Sequence, residues 1–596
     1  MSLPLLQRMF ISAAKGDDVQ QRTEFYRYGV FARRMLSWRD LVAALVVFAL
    51  LVLLGLGLRQ MMAPVASAVP EKISLSPWAL PAYVLRTTLR MFIALFASLL
   101  FTFTYATLAA KNRRAEMVLV PLLDILQSVP VLGYLSFTVV FFVALFPGSV
   151  LGPEFAAIFA IFTSQAWNMA FSFYQTLRTV PLDIDEASRA FRFSAWQRFW
   201  RLEVPFAMPG LIWNMMMSMS GGWFFVVASE AISVGNISYT LPGVGSYVAK
   251  AIAERDLHAV FYAIGAMTIA ILLYDQLLFR PLVAWGDKFR SEQTAAQIVP
   301  KSLVLDLFRR ATFMRRLSAP IGSGLDFLAR QRFTPFAWVP RPSRPLVPRR
   351  AGDIIWLACI AAATIYGVLQ LLHFVAPTLT WHDVQIVTGN GFLTLLRVVV
   401  LIILATLIWV PIGVQVGLRP KLAEKVQPLA QFLAAFPANL MFPVAVVLIV
   451  HFGVNPVIWL SPLMILGTQW YILFNVIAGA TAYPSDFKEA AATFRIRGWR
   501  WWRDVMLPGI FPYYVTGAIT ASGGAWNASI VSEVVSWGPT KLDAGGLGAY
   551  IARMTAAGDF SRIALGIAIM SAMVVTMNRL IWRPLYAFAE RRMRLD

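Results

Sequence analysis

Two charged stretches of this chain contain the same residue types at the same spacing. The first copy consists of Glu186, Ala187, Ser188, Arg189, Phe191 and Arg192, and the second consists of Glu489, Ala490, Ala491, Phe494 and Arg495. Small side chains allow another surface to approach closely, and Glu and Arg at the edges supply charge-assisted hydrogen bonds. The chemistry that this pattern offers is the docking of a partner protein at two equivalent sites.

The two copies belong to a longer internal repeat. Each copy begins at a proline, Pro181 or Pro484, five residues before its glutamate, and the copies are offset by 303 residues. The same offset relates residues on both sides, and further upstream it becomes 307, as for Arg90 and Arg397. Because each proline stops the preceding helix from running straight on, we expect a short surface helix after it.

The composition places this repeat in a membrane protein. Hydrophobic residues make up 58% of the 596 residues, only 14% are charged, and the mean hydropathy is +0.65. A soluble chain contains about 25% charged residues, and a membrane-spanning helix needs about 20 mostly apolar residues. We therefore predict an all-α polytopic membrane protein that lies in a lipid bilayer.

Apolar runs predict about 12 transmembrane helices, six in each half. The predicted spans are 41–59, 84–110, 129–147, 155–176, 207–232, 257–279, 353–374, 391–418, 430–451, 457–480, 511–535 and 563–582. With both termini cytoplasmic, each charged loop lies on the cytoplasmic side between the fourth and fifth spans of its half. Both copies enter the loop in the same direction, so the halves form a parallel repeat. The predicted parts are a cytoplasmic N-terminal tail (1–40), a first unit (41–285), a basic cytoplasmic linker (286–350) and a second unit (351–596).

Topology explains the formal net charge of +21. Basic residues cluster in the N-terminal tail, the two charged loops, the linker and the C-terminal end. Lys and Arg are retained on the cytoplasmic side of membrane proteins, so we expect no nucleic-acid partner. The long polar N-terminus predicts no secretory signal peptide. The linker fits either an amphipathic helix on the inner leaflet or a tether between the units.

Polar residues at membrane depth are candidates for a substrate pathway. They are Arg90, Arg397, Asp124, Gln127, Glu230 and Glu533. Ionisable groups inside a membrane are functional candidates, and the two arginines would attract an anion. The alternative is structural, with Arg90 and Arg397 paired to acidic neighbours. Asp124 and Gln127 occur in the first half only, which would make the pathway chemically asymmetric.

Nothing in the sequence indicates catalysis or a metal site. The four histidines lack metal-ligand spacing, and no nucleophile–base pair stands out. No Gly-Lys dipeptide occurs in the chain, which excludes a P-loop for ATP. We expect no metal and no cofactor here; if ATP is used, a separate protein binds it.

The charged loops resemble the Glu-Ala-Ala motif of binding-protein-dependent ABC transporter permeases. The stretch from Glu186 to Pro205 most resembles the nitrate/sulfonate/taurine branch, as do Gln127-Ser-Val-Pro130 and the residues around Gly243. The resemblance covers residues 84–290 and 390–590. It implies a location in a bacterial inner membrane and two type I (MetI-like) permease halves, each docked to one of two ABC ATPase subunits that carry ATP and Mg. It also implies an extracytoplasmic substrate-binding protein and a small anion as cargo, such as nitrate, a sulfonate, taurine or bicarbonate.

The chain departs from this family at one position in each loop. The family usually has glycine six residues after the glutamate, where this chain has Arg192 and Arg495. Because glycine adopts positive φ without strain, we expect the turn to differ here, and the arginines to add salt bridges to the ATPase. An alternative function is a 12-span secondary transporter that needs no ATPase, although it does not predict Glu-Ala loops between the fourth and fifth spans.

Overall fold

The computed structural model describes residues 73–592 with several gaps. The residues outside the description are 1–72, 128, 235–236, 287–288, 290–319, 321, 325, 333–348, 482 and 593–596. The predicted N-terminal tail, the first predicted span (41–59) and most of the predicted linker (286–350) therefore lie outside the described residues.

The first half is a series of helices with one small β-hairpin. Its helices are α1 (Leu80–Lys111), α2 (Arg113–Leu126), α3 (Val131–Leu145), α4 (Leu151–Arg178), α5 (Leu182–Ala190), α6 (Ala195–Arg198), α7 (Val204–Ser229), α8 (Val244–Glu254), α9 (Leu257–Tyr274) and α10 (Arg280–Gly286). The antiparallel hairpin strands are β1 (Ala231–Val234) and β2 (Ile237–Thr240). A π-helical segment, Phe199–Glu203, joins α6 to α7, and these three segments form one continuous helix.

The second half repeats this order. Its helices are α11 (Arg349–Val375), α12 (Trp381–Gly417), α13 (Pro420–Ala435), α14 (Phe442–Phe452), α15 (Pro456–Trp459), α16 (Gln469–Thr481), α17 (Ser485–Thr493), α18 (Leu507–Ser532), α19 (Leu547–Ala557), α20 (Phe560–Met577) and α21 (Arg583–Arg592), and its hairpin strands are β3 (Val534–Trp537) and β4 (Thr540–Asp543). The bounds of α5, α7, α8 and α9 recur 303 residues later as those of α17, α18, α19 and α20. The sequence repeat is therefore a repeat of structure.

Local sequence explains several of these boundaries. The side chains of Asp256 and Asp559 each accept a hydrogen bond from a backbone N–H three residues later, which starts α9 and α20. Pro181 and Pro484 precede α5 and α17 with φ of −57° and −58°, close to the value that the pyrrolidine ring imposes. The same residue types set the same boundaries in both halves.

The prediction of twelve spans is not confirmed. Within the described residues, the helices long and apolar enough to cross a membrane are Pro77–Lys111, Ala195–Ser229, Leu257–Gly286, Trp381–Gly417 and Phe560–Ala589. These five become seven if two bent helix pairs, Lys421–Ala435 with Ala438–Phe452 and Pro456–Met464 with Gln469–Thr481, each count as one span.

The structure departs from the predicted spans for local reasons. The helix α3, predicted as a full span, has only 15 residues, and the apolar part of α11 is Trp356–Gln370. The first bent pair turns by 78° at Phe436, which takes the extended conformation favoured before a proline, here Pro437. An apolar run in the sequence therefore does not always form one straight helix.

Each half contributes a segment to the hydrophobic core of the other half. Buried side chains of α3 pack into the cluster that contains Trp526, and Ala435 and Leu440 pack into the cluster that contains Trp223. A hydrogen bond of 2.7 Å from the Val131 N–H to Asn527 Oδ1 also crosses between the halves. The two halves therefore interlock.

Candidate functional site

A cavity of about 400 Å³ lies between the two halves. The long helices α7 and α18 both line it, for example through Asn214 and Ser218 on α7 and Thr520 and Asn527 on α18. Because α7 continues from the first charged loop through α6, a displacement of that loop would be transmitted to the wall of the cavity.

The cavity lining is polar without formal charge. Its described lining residues include carboxamides, hydroxyls and aromatic rings, and none of them is Asp, Glu, Lys, Arg or His. Among them, the buried indole N–H groups of Trp167 and Trp582 have no hydrogen-bond partner in the described part of the chain. Both nitrogen atoms are themselves buried, so they are not open to a solute in the cavity.

Most of the residues predicted to form the substrate pathway lie outside this cavity or outside the described structure. Gln127 lines it, but Arg90, Arg397, Glu230 and Glu533 do not. Asp124 lies in α2, and its side chain is outside the described part of the structure. The role of these residues in transport stays a prediction.

In the first half, Arg90 is fully buried between two carboxylates. Its Nε and Nη2 donate to Glu154 Oε2 and Oε1, both at 2.6 Å, and its Nη1 donates to Glu230 Oε1 at 2.7 Å. Thr87 Oγ1 donates to the same Glu230 oxygen at 2.6 Å. This arrangement matches the structural alternative from the sequence analysis, in which Arg90 pairs with acidic neighbours. Charged groups buried in a protein are normally paired.

In the second half, the equivalent Arg397 has one carboxylate and two carbonyls. Its Nη1 donates to Glu533 Oε1 at 3.0 Å and to the Gly545 carbonyl at 2.6 Å, and its Nη2 donates to the Ala544 carbonyl at 2.6 Å. Thr394 Oγ1 again donates to the glutamate, at 2.8 Å. Sequence reasoning missed Glu154, Thr87 and Thr394, although the two threonines show the 307-residue offset.

Glycines bring the start of α8 and α19 onto these glutamates. The Gly245 and Ala549 N–H groups donate to Glu230 Oε2 and Glu533 Oε2 at 2.7 and 3.0 Å. A Cβ on Gly243 would lie 2.3 Å from the Glu230 carboxyl carbon, and one on Gly546 would lie 2.5 Å from Glu533 Oε1. The pattern Gly-X-Gly at 243–245 therefore marks a close approach of backbone to a buried acid.

The two charged loops form the same exposed helix and turn. Glu186, Arg189, Glu489 and Ala490 are exposed and Ala187 is half-buried, whereas Ser188 and its equivalent Ala491 are buried on the inner side. The aromatic rings after the helices, Phe191 and Phe494, are 59% and 77% exposed. Large exposed apolar side chains beside charges are typical of an interaction surface.

The turn after each helix keeps the geometry that glycine usually provides. Arg192 and Arg495 have φ of 54° and 50°, in the left-handed region. The Phe193 N–H bonds to the Ser188 carbonyl at 3.1 Å, and the Ile496 N–H bonds to the Ala491 carbonyl at 2.9 Å, as in a Schellman motif. The prediction of a different turn was wrong, because the two hydrogen bonds that close the motif hold each arginine in this conformation.

The ties between each loop and the helices beneath it differ in chemistry. In the first half, ion pairs run from Asp185 to Arg198 at 3.2 Å, from Arg198 to Glu203 at 3.3 Å, and from Glu203 to Lys111 at 2.7 Å. In the second half, Arg198, Glu203 and Lys111 are replaced by Trp501, Met506 and Leu418. These three residues pack in one hydrophobic cluster. The first loop is tied by charges and the second by apolar contacts.

Comparisons with known proteins agree with this architecture. The family model described as "Binding-protein-dependent transport system inner membrane component" matches residues 102–280 and 409–595. The chain is similar to the bicarbonate transport system permease protein CmpB of Synechococcus elongatus, with 31% identity over 135 residues, 23% of this chain and 47% of that protein.

Two further relatives have different names. The glycine betaine/proline betaine transport system permease protein ProW of Escherichia coli is 29% identical over 165 residues, 28% of this chain and 42% of that protein. The nitrate import permease protein NrtB of Leptolyngbya laminosa is 23% identical over 192 residues, 32% of this chain and 64% of that protein. The chain thus spans about half the length of the curated relatives it matches. Because the two ranges matched by the family model cover more than half of the chain, the chain belongs to the family of binding-protein-dependent transport system inner membrane components, which are non-catalytic transmembrane permease subunits.

Proposed function

We propose that this chain forms the translocation pathway of an ATP-driven importer and couples to two ATPase subunits through α5 and α17. The observation that supports this most directly is the pair of exposed loop helices with identical Schellman turns, 303 residues apart. In this proposal the two permease units are 41–285 and 351–596, joined by the linker 286–350. Both termini and both loops face the cytoplasm.

The proposed mechanism is a movement of the loops that reshapes the cavity. ATP binding closes the ATPase pair, and the closed pair favours one of two arrangements of the permease because it binds that arrangement more tightly. The first loop runs directly into the continuous helix Ala195–Ser229, whose side chains line the cavity. Movement of α5 would therefore shift α7 against α18 and open the cavity to the other side.

The exposed residues of the loops would make the contacts with the ATPases. Glu186 and Glu489 present carboxylates, and Arg192 and Arg495 present guanidinium groups from the turn. Charge-assisted hydrogen bonds of this kind are stronger than neutral ones. ATP and Mg would be held by the ATPases, and a substrate-binding protein would deliver the cargo on the opposite side.

The proposed cargo is a small anion of the nitrate, sulfonate, taurine or bicarbonate class. The names of two relatives, which refer to bicarbonate and nitrate, support this class. The hydroxyl and carboxamide side chains of the cavity lining can also donate to acceptor oxygens. The uncharged lining is compatible with transient passage, because a fixed cation in the cavity would hold an anion instead of releasing it.

Charge reversal in the loops tests the docking proposal. We expect Glu186→Arg combined with Glu489→Arg to abolish co-purification of a co-expressed ABC ATPase, because like charges would face its docking grooves. A matched control is Glu254→Arg, which reverses an exposed glutamate outside both loops. Equal recovery of the ATPase with the double variant and the unmodified chain would contradict the proposal.

Filling the cavity tests the pathway separately from docking. Gly523 lines the cavity, and a Cβ there would meet nothing within 4 Å. We expect Gly523→Leu to lower uptake of radiolabelled bicarbonate or taurine, or of nitrate, into proteoliposomes while the ATPase still co-purifies. Gly265→Leu is the control, since Gly265 also has open space but lies on α9, outside the lining. Unchanged uptake of all three anions by Gly523→Leu would exclude this cavity as their route.

A further inference from the structure

The described part of the linker is hydrogen-bonded to the first charged loop. Residues 326–330 form a short helical segment between the two units. Trp196 Nε1 donates to the Leu328 carbonyl at 2.8 Å, and Gln197 Nε2 donates to the Arg330 carbonyl at 2.7 Å. The Leu328 carbonyl also accepts from the Gln331 N–H at 3.2 Å, so the first loop adds side-chain hydrogen bonds at the end of this segment.

The equivalent positions in the second loop are in a different environment. Trp499, equivalent to Trp196, is 73% exposed, and Arg500, which stands in place of Gln197, is also exposed. The backbone also differs here, because Gly498 has φ of 62°, whereas the equivalent Ala195 is the first residue of α6.

The linker segment also presents an apolar residue to the surroundings. Phe327, next to the residue that Trp196 contacts, is 65% exposed. Phe191 of the adjoining loop is 59% exposed. The series of ion pairs that runs from Asp185 through Arg198 and Glu203 to Lys111 ties the same loop to the rest of its half.

We infer that the linker segment 326–330 is part of the first ATPase docking site, so that the two docking sites are not equivalent. One ATPase subunit then contacts the loop helix α5 together with Phe327. The other contacts α17 and the exposed side chains of Trp499 and Arg500 without the linker. This inference rests on the proposed coupling of the loops to ATPases.

The contact between the linker and the loop can be tested without any ATPase. The chain has a single cysteine, so Cys359→Ser gives a cysteine-free background. In that background we expect Gln197→Cys with Arg330→Cys to be joined by a short bis-maleimide reagent, and the matched pair Arg500→Cys with Arg330→Cys not to be joined. Mass spectrometry of the cross-linked peptides gives the readout. Absence of the first product, or equal yields of both, would overturn the inference even if the ATPase docks as proposed.

Labelling of Phe327→Cys tests whether the ATPase covers the linker segment. We expect maleimide to react several-fold more slowly at this position when the co-expressed ABC ATPase is bound, and the protection to disappear in the Glu186→Arg, Glu489→Arg background. Equal labelling with and without bound ATPase would overturn the composite site but leave the docking proposal standing. Failure of the ATPase to co-purify with the unmodified chain would overturn both proposals.

Discussion

The two buried arginines occupy equivalent positions in the two halves but have different charge balances. Arg90 is held by Glu154, Glu230 and the Pro242 carbonyl, whereas the carboxylate partner of Arg397 among the described residues is Glu533, beside the Gly545 and Ala544 carbonyls. The segment Pro456–Thr481, which corresponds to most of α4, contains no acidic residue. The duplicated backbone therefore keeps one carbonyl acceptor in both halves, while the Ala544 carbonyl accepts from Nη2 in the second half where Glu154 accepts in the first.

Replacement of the two buried arginines should give the largest loss of stability, and the loss should differ between the two halves. We expect Arg90→Leu to lower the free energy of unfolding by about 5 kcal/mol and Arg397→Leu by about 3 kcal/mol, because a buried carboxylate without its partner is strongly destabilising. The first change leaves two such carboxylates and the second leaves one. Thermal unfolding of the detergent-purified protein is the measurement. Equal losses would show that the charge balance of the sites does not matter for stability.

Replacement of the glycines that face the buried glutamates should destabilise both halves. The loss of stability should be larger in the second half, where the glycine also has a positive φ. We expect Gly243→Ala to destabilise the protein by about 1–3 kcal/mol through overpacking against Glu230. Gly546→Ala should cost about 1 kcal/mol more, because its φ of 112° is strained for any other residue. Gly265→Ala, in open space, serves as the control for both. A smaller effect at Gly546 than at Gly243 would contradict the close approach at α19.

Removal of the second carboxylate charge beside Arg90, which makes its charge balance like that of Arg397, should lower stability moderately. We expect Glu154→Gln to lower stability by about 1–2 kcal/mol, since the amide oxygen still accepts one hydrogen bond from Arg90. In a double-mutant cycle, Arg90→Leu should then be less damaging in the Glu154→Gln background than alone, whereas Arg397→Leu should be additive with Glu154→Gln. Additivity at both arginines would mean that Glu154 and Arg90 do not interact.

The smallest expected effect concerns the positive-φ turn after each loop helix, which has the same geometry in both halves. Arg192→Gly and Arg495→Gly should each raise the free energy of unfolding of the isolated permease by about 1 kcal/mol, because glycine relieves the strain of positive φ. The two gains should be equal, since both turns have the same geometry. Chemical or thermal unfolding in the absence of ATPase gives the measurement. A loss of stability at either position would indicate a stabilising contact made by that arginine side chain.

The pattern of residues was sufficient to predict the repeat and the loop helices, but not the interlocking of the halves. The loop helices follow from Pro181, Pro484 and the residues after them, which are local signals. The packing of α3 and Leu440 into the opposite cores depends on contacts between residues far apart in the chain. Such contacts leave no mark on local periodicity.

The structure also changed the interpretation of two individual features. Arg192 and Arg495 were expected to alter the turn, yet the hydrogen bonds of the Schellman motif impose positive φ on them. Glu154 was not singled out by the sequence, because it precedes the predicted span 155–176 and a single acid there does not indicate which basic residue it meets. Only the fold places it 2.6 Å from Arg90.

The sequence by itself determined that this is a duplicated, helical membrane permease with two matching charged loops. Composition, the 303-residue offset and the residue types of the loops are properties of the linear chain, and short-range rules convert them into helices and turns. The tertiary structure alone decided which charges pair, which residues line the cavity and which loop the linker contacts. These depend on the distances between side chains from different helices, and the chain fixes such distances only once the helices have packed together.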